Sequence, residues 1–285
     1  MGNNNNNDGN DDDSRIIIPW TCCNDEQTLF ILLYLAFTAI VIITLTTVIA
    51  KPLRLIAVFI HEMSHATAAW MTGGNVHSIQ VYHNEGGVTQ YSGGCRCCVI
   101  PAGYVGCSFW AMIFVILSGG RRTATFAAIG FTIALCIALC YTPNKTMIYL
   151  NLGYAVIIIV FICIEWFYYT PILQFVILFF GVFIGFAAIH DIHSDTIVRS
   201  VQGSDSYACY TEVCPLCPPR CVGIQWIILA IFFQCFGIWI ALIQMSNECT
   251  DLGWFQCLYG SAGFDFNWDG IDVFANFDGF WDNGP

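Results

Sequence analysis

"LRLIAVFIHEMSHATAAWMTGG", residues 53–74, sets His61, Glu62 and His65 inside a stretch that is otherwise apolar and helix-forming. Thr72-Gly73-Gly74 supplies a helix stop. The stretch has the length of a membrane span, where ionisable side chains are costly and point to function. On a helix, residues i and i+4 share a face. His61 and His65 can therefore approach one divalent ion while Glu62 projects beside them. Zinc lowers the pKa of a water toward about 7, and a carboxylate within hydrogen-bond reach can take the proton. These residue types assign His61 and His65 as neutral nitrogen ligands and Glu62 as general base. The competing reading, two core histidines bonded to neighbouring helices, leaves the cost of burying Glu62 unanswered.

The surrounding chain has the composition of a membrane protein. Of its 285 residues, 57% are hydrophobic and 10% charged, against about 45–50% and 25% in soluble domains. Apolar runs long enough to span a bilayer fall at roughly 29–50, 53–71, 99–118, 124–141, 148–168, 172–190 and 222–245. The expected fold is an all-α polytopic membrane protein of about six to seven transmembrane helices. The first run is too long for a signal peptide and lacks a basic leader, so it reads as a retained anchor. Residues 1–28 form an Asn/Asp-rich tail, 29–245 the membrane domain, and 246–285 an acidic-aromatic tail. In the loop after the second span, "IQVYHNEGGVTQY" has a β-type stretch on each side of "NEGG", which predicts a β-hairpin.

Seven crossings place Lys51, Arg54, Arg121 and Arg122 on one side, and Arg15, Arg96, Lys145, Arg199 and Arg220 on the other. That balance assigns no orientation. It does put the two large loops, 72–98 and 191–221, on one face. The net charge of −11 lies mostly in the tails. With no Lys/Arg stripe, nucleic acid is an unsuitable partner; the lipid bilayer is the partner the spans require. Cys107, Cys136, Cys140, Cys163 and Cys235 read as small apolar residues in spans. The remaining cysteines, including "CRCC" at 95–98 and "CPLC" at 214–217, suit either disulfides or a structural metal. Asn144-Lys145-Thr146 reads as an unused glycosylation sequon, and "DFNWDG" at 265–270 as flexible tail rather than a Ca²⁺ loop.

A catalytic zinc site needs a third protein ligand and one open position. "FAAIHDIHSDTIVRSVQGSDS", residues 186–206, offers candidates. Asp191 and Asp195 are four apart, so one helical face can present both. His190 and His193 compete with them. Asp191, nearest the membrane end, is favoured, with Asp195 as the alternative; Asp195 and Asp205 read equally well as solvated loop acids.

Taken in order, "HEMSHATAAWMTGG", "VTQYSGG", "PAGYVGCSFWAM" and "HDIHSDTIVRSVQGSDS" resemble the M50B-like membrane metallopeptidases, relatives of the site-2 proteases, over about residues 50–210. The resemblance implies a zinc-dependent endopeptidase acting on membrane-protein or peptide substrates within or beside the bilayer, in an internal membrane of the ER/Golgi type. It matches His61 and His65 to the metal histidines, Glu62 to the catalytic acid/base, and Asp191 to the downstream acid completing the site. The later spans lack the Asn-Pro…Asp-Gly element in which site-2 proteases carry their third ligand. Two other readings use the same residues: a transporter or scaffold with a proton or metal-ion path, and an inactive relative that holds no metal.

Overall fold

A computed structural model describes residues 24–168, 171–198 and 203–245. The expectations for the two tails, including the 265–270 segment and Cys22, Cys23, Cys249 and Cys257, lie outside the described residues. Within them the elements run α1 (Asp25–Thr44), α2 (Lys51–Met71), β1 (Asn75–Val81), β2 (Gly87–Ser92), α3 (Arg96–Leu117), α4 (Arg121–Leu139), α5 (Lys145–Tyr168), α6 (Ile172–Ile192), α7 (Asp205–Ala208) and α8 (Pro219–Gln244). A π-helical turn, His193–Val198, extends α6, and a second, Cys209–Val213, follows α7.

Most spans begin about three or four residues before the apolar runs that announce them, because polar caps start helices and hydropathy does not register caps. In α1, Asn24 accepts from Gln27 N while the Gln27 side chain accepts from Asn24 N, a reciprocal capping box. Among the described residues, six helices are long and apolar enough to cross a membrane: α1, α3, α4, α5, α6 with its extension, and α8. The chain is an integral, multi-pass membrane protein.

The helix that carries His61, Glu62 and His65, α2, is not one of the six, and with one crossing for each of those six the contacts at the two ends of the bundle leave none for α2. Asn24 and Gln27, at the start of α1, donate to Met245 O and Leu242 O at the end of α8, both at 2.8 Å. Five crossings, α3 to α6 and α8, separate the start of α3 from the end of α8. The start of α3 and the end of α8 therefore lie at opposite ends of the bundle. Since α1 begins beside the end of α8 and crosses once, α2 begins at the end where α3 starts. It also finishes there, because Thr72, its C-cap, accepts from Cys95 N at 3.0 Å. The described residues thus provide six crossings, the lower of the two expected counts. Lys51, Arg54, Arg96, Lys145 and Arg220 fall at the α3-start end, and Arg121 and Arg122 at the other.

The core is centred on α3, which packs against α2, α6 and α8. Close approach to α6 depends on Gly181, where a Cβ would come within 2.8 Å of a Val115 methyl and 2.9 Å of Val115 N, the small-residue contact usual between membrane helices. At the opposite end, fully buried Glu165 ties three elements. Its Oε1 accepts from Arg121 Nε at 3.1 Å and its Oε2 from Leu173 N at 2.7 Å.

The expected hairpin is present, with β1 and β2 antiparallel from Asn75↔Ser92 to Val81↔Gly87. Val76, Ile79 and Val81 are buried in the core. Asn144 donates to Val81 O at 2.8 Å and accepts from Thr146 N at 2.9 Å, so the sequon asparagine is occupied in packing. At the hairpin tip, Arg54 grips Glu85 with two hydrogen bonds of 2.6 and 3.0 Å, and Lys51 reaches His83 at 3.0 Å. The hairpin thereby lies along α2 rather than projecting from it.

Candidate metal centre

The i, i+4 spacing on α2 works as the sequence predicts. His61 and His65 face each other, with Nε2 atoms 3.1 Å apart. The Nδ1–H of His65 donates to Val99 O on α3 at 2.7 Å. That bond fixes the tautomer and leaves Nε2 with a lone pair toward the site, the usual outer support of a metal-binding histidine.

The carboxylate brought to these imidazoles is Asp205. Its Oδ2 stands 3.1 Å from His61 Nε2 and 3.2 Å from His65 Nε2. The favoured Asp191 is elsewhere on the cavity wall, half-exposed and 3.3 Å from His190 Nδ1. The alternative, Asp195, accepts from Tyr104 OH at 3.1 Å. The reason is local backbone geometry. The α-helical register that would align Asp191 with Asp195 ends at Ile192, and Asp195 lies in the π-helical turn. Farther along, Ser204 caps α7 by accepting from Tyr207 N. Asp205, the first residue of that helix, is delivered to the histidines. Tyr104 in turn packs its ring edge-on to His61, with centroids 4.5 Å apart. Asp195 thus supports the ring that supports a ligand.

From the sequence, Asp205 stands evenly between a functional acid and a solvated loop acid, and Asp191 is preferred to it. The signal that marks it is the Gly-Ser-Asp-Ser run, a helix N-cap following a glycine. Burial alone would raise the Asp205 carboxyl, but the adjacent imidazoles of His65 and His61 hold it below the ordinary carboxylate range. Its Oδ2 is buried, and no directed hydrogen bond reaches it.

The three converging atoms at 3.1, 3.1 and 3.2 Å repel as bare acceptors, so a positive charge, a proton on an imidazole or a metal ion in its place, belongs between them. Tetrahedral zinc with ligands at about 2.0–2.1 Å sets its ligand atoms about 3.3 Å apart. The donor set of two imidazoles and one carboxylate suits zinc, and the orphaned Oδ2 acquires a partner. Gly103 of α3 makes the room, since a Cβ there would fall 2.4 Å from His65 Nε2, 2.5 Å from His61 Nε2 and 2.6 Å from Asp205 Oδ2.

Glu62 is buried beside this cluster. Thr89 Oγ1 on β2 is 2.6 Å from Glu62 Oε2 and 2.9 Å from Glu62 O. Gly87 faces the same carboxylate, and a Cβ there would meet Oε1 at 2.3 Å. Glu62, His61, His65 and Asp205 all line a cavity of about 860 Å³ together with Gly87, Val88, Thr89 and Tyr91 of the hairpin.

A model of the Peptidase M50B-like family matches residues 34–237, and the chain belongs to that family. No curated protein and no solved structure matches it. Family membership and the His61/His65/Asp205 cluster together define a metallopeptidase-like membrane protein with a metal-binding type of active site.

Proposed function

We propose that the protein is a zinc-dependent endopeptidase that hydrolyses peptide bonds of membrane proteins or peptides within or beside the bilayer. The observation that carries this reading is the triangle of acceptor atoms from His61, His65 and Asp205 with a buried carboxylate, Glu62, next to it. His61, His65 and Asp205 would hold the ion. When bound, zinc supplies Lewis acidity, acidifying a water and polarising a substrate carbonyl. Glu62 takes the proton from the attacking water and passes it to the leaving amine. Thr89 donates to Glu62 Oε2 and so directs the carboxylate. Asp205, Glu62 and the hairpin share one cavity, so the scissile bond can be enclosed with limited access for bulk water.

β2 has β1 as its strand neighbour on one side. Its cavity-lining residues suit it to receive an extended substrate strand by β-addition. An internal membrane is the setting this reading favours. Expression beside a library of single-span substrates tests it. Glu62→Gln abolishes cleavage and keeps the zinc, whereas His65→Ala and Asp205→Ala lose the zinc as well. Ion flux that persists in Glu62→Gln, with no cleavage product from the wild type, would favour a carrier instead.

A further inference from the structure

A second group of metal-type ligands lies outside the catalytic cavity. Cys95, Cys97 and Cys98 bring their Sγ atoms within 4.8 Å of one another, and Cys95 Sγ is 2.8 Å from Cys97 Sγ. Residues i and i+2 do not face each other on a helix. Here they meet because Cys95 is the N-cap of α3, with non-helical φ −87° and ψ 105°, which swings its side chain back over the first turn. Arg96, between them, turns away to pair with Glu212, its Nη2 2.9 Å from Oε1. All three thiols are exposed.

We propose that Cys95, Cys97 and Cys98 form a second metal site, which binds a thiophilic d¹⁰ cation of the Cu⁺ or Zn²⁺ class as three thiolates. Sulfurs about 2.3 Å from one ion stand about 3.8–4.0 Å apart, so the three need only small rotations. Soft thiolate sets select these cations, and each thiol releases its proton to solvent on binding. The positions of the cations support reduced thiols. Among the described residues, Lys51, Arg54, Arg96, Lys145 and Arg220 lie at this end of the bundle against Arg121 and Arg122 at the other, an excess that assigns the thiol end to the cytoplasmic side. Cys214 and Cys217 on this face are bonded to each other. A C-x-x-C pair is also a redox couple of reducing compartments, so that bond does not mark a lumenal face.

The site has a structural use. Val99 N donates to Cys95 O at 3.0 Å, and Val99 O orients His65. A cation on the three sulfurs therefore fixes the turn that supports a catalytic-centre ligand. Metal capture itself does not depend on the peptidase reading.

The test uses the full chain, purified in detergent and mildly reduced, with Cd²⁺ as probe. The wild type should develop a sulfur-to-cadmium charge-transfer band that saturates at one equivalent. The triple variant Cys95→Ser/Cys97→Ser/Cys98→Ser should lose the band and one equivalent of metal. His65→Ala should keep the band while losing the other equivalent, so the two sites fail separately. If the triple variant does not fold, Cys98→Ser alone should weaken cadmium binding at least about tenfold. A band that survives in the triple variant, unchanged metal content, or thioester-linked acyl groups on these cysteines overturns the proposal.

Discussion

Gly103→Ala is the sharpest probe of the metal centre, because the structure fixes its consequence in three directions at once. The added carbon lies 2.4, 2.5 and 2.6 Å from the three donor atoms. It is thus nearly on the axis through the centre of their triangle. An ion about 2.0–2.1 Å from all three donors occupies that same axis. With donor separations of 3.1–3.2 Å, carbon and ion would be less than about 3 Å apart whichever side of the plane each takes. Ordinary contact needs about 3.5 Å, so α3 or the ligands must retreat by about 1 Å. Metal–ligand distances tolerate about 0.2 Å. Retreat of α3 is resisted by its packing on α2, α6 and α8, and overpacking of this kind costs about 1–3 kcal/mol. Zinc affinity should therefore fall at least about 100-fold, equivalent to about 2.7 kcal/mol. The assay is competitive zinc titration and metal content of the purified protein, with Gly130→Ala, where nothing lies within 4 Å, as the control for a helical Gly-to-Ala change. A folded Gly103→Ala protein that binds zinc with wild-type affinity refutes the assignment of His61, His65 and Asp205 as one metal site.

Thr89→Val should lower peptidase kcat by about 10- to 100-fold with zinc content unchanged, and Thr89→Ser should restore it, since only the hydroxyl on Glu62 has been removed and returned. Arg54→Met removes the two bonds to Glu85 and those to Leu45 O and Thr47 O; for a partly buried arginine the loss is about 2 kcal/mol, read as roughly 30-fold faster hydrogen exchange over residues 82–88, and unchanged exchange there would show that the tip is held by other contacts. Arg121→Met leaves Glu165 buried with the Leu173 amide alone; the destabilisation should be about 3 kcal/mol, measured as a lower melting temperature in detergent.

The parts of this molecule legible in its sequence are those encoded by spacing. The His61/His65 separation and the two β-type stretches around "NEGG" report a periodicity, six of the seven apolar runs report a length, and these appear in the structure where expected. Asp205 was not legible in the same way. Its selection depends on a break in helical register after Ile192 and on the separate cap that starts α7 at Ser204, and neither leaves a periodic trace. Asp191 had the better sequence argument, being closest to the span, yet proximity along the chain is a poor guide once a π-helical turn redirects the side chains that follow.

The non-crossing path of α2 resolves the conflict posed by residues 53–74. A helix that carried His61, Glu62 and Arg54 across lipid would pay for each ionisable group separately. Both ends of α2 instead lie at one end of the bundle, and its ionisable groups are matched to protein: Arg54 to Glu85, His65 to Val99 O and Asp205, Glu62 to Thr89. The room for chemistry between them comes from side chains that are missing. Gly103 leaves open the space in front of the three donors, and Gly87 the space in front of the Glu62 carboxylate. Motif matching registers the residues that act, whereas these two positions contribute by having no Cβ. The same hairpin that brings Thr89 to Glu62 must therefore bring a glycine two residues earlier, which ties the sequence Gly87-Val88-Thr89 to the chemistry as closely as His61-Glu62 itself.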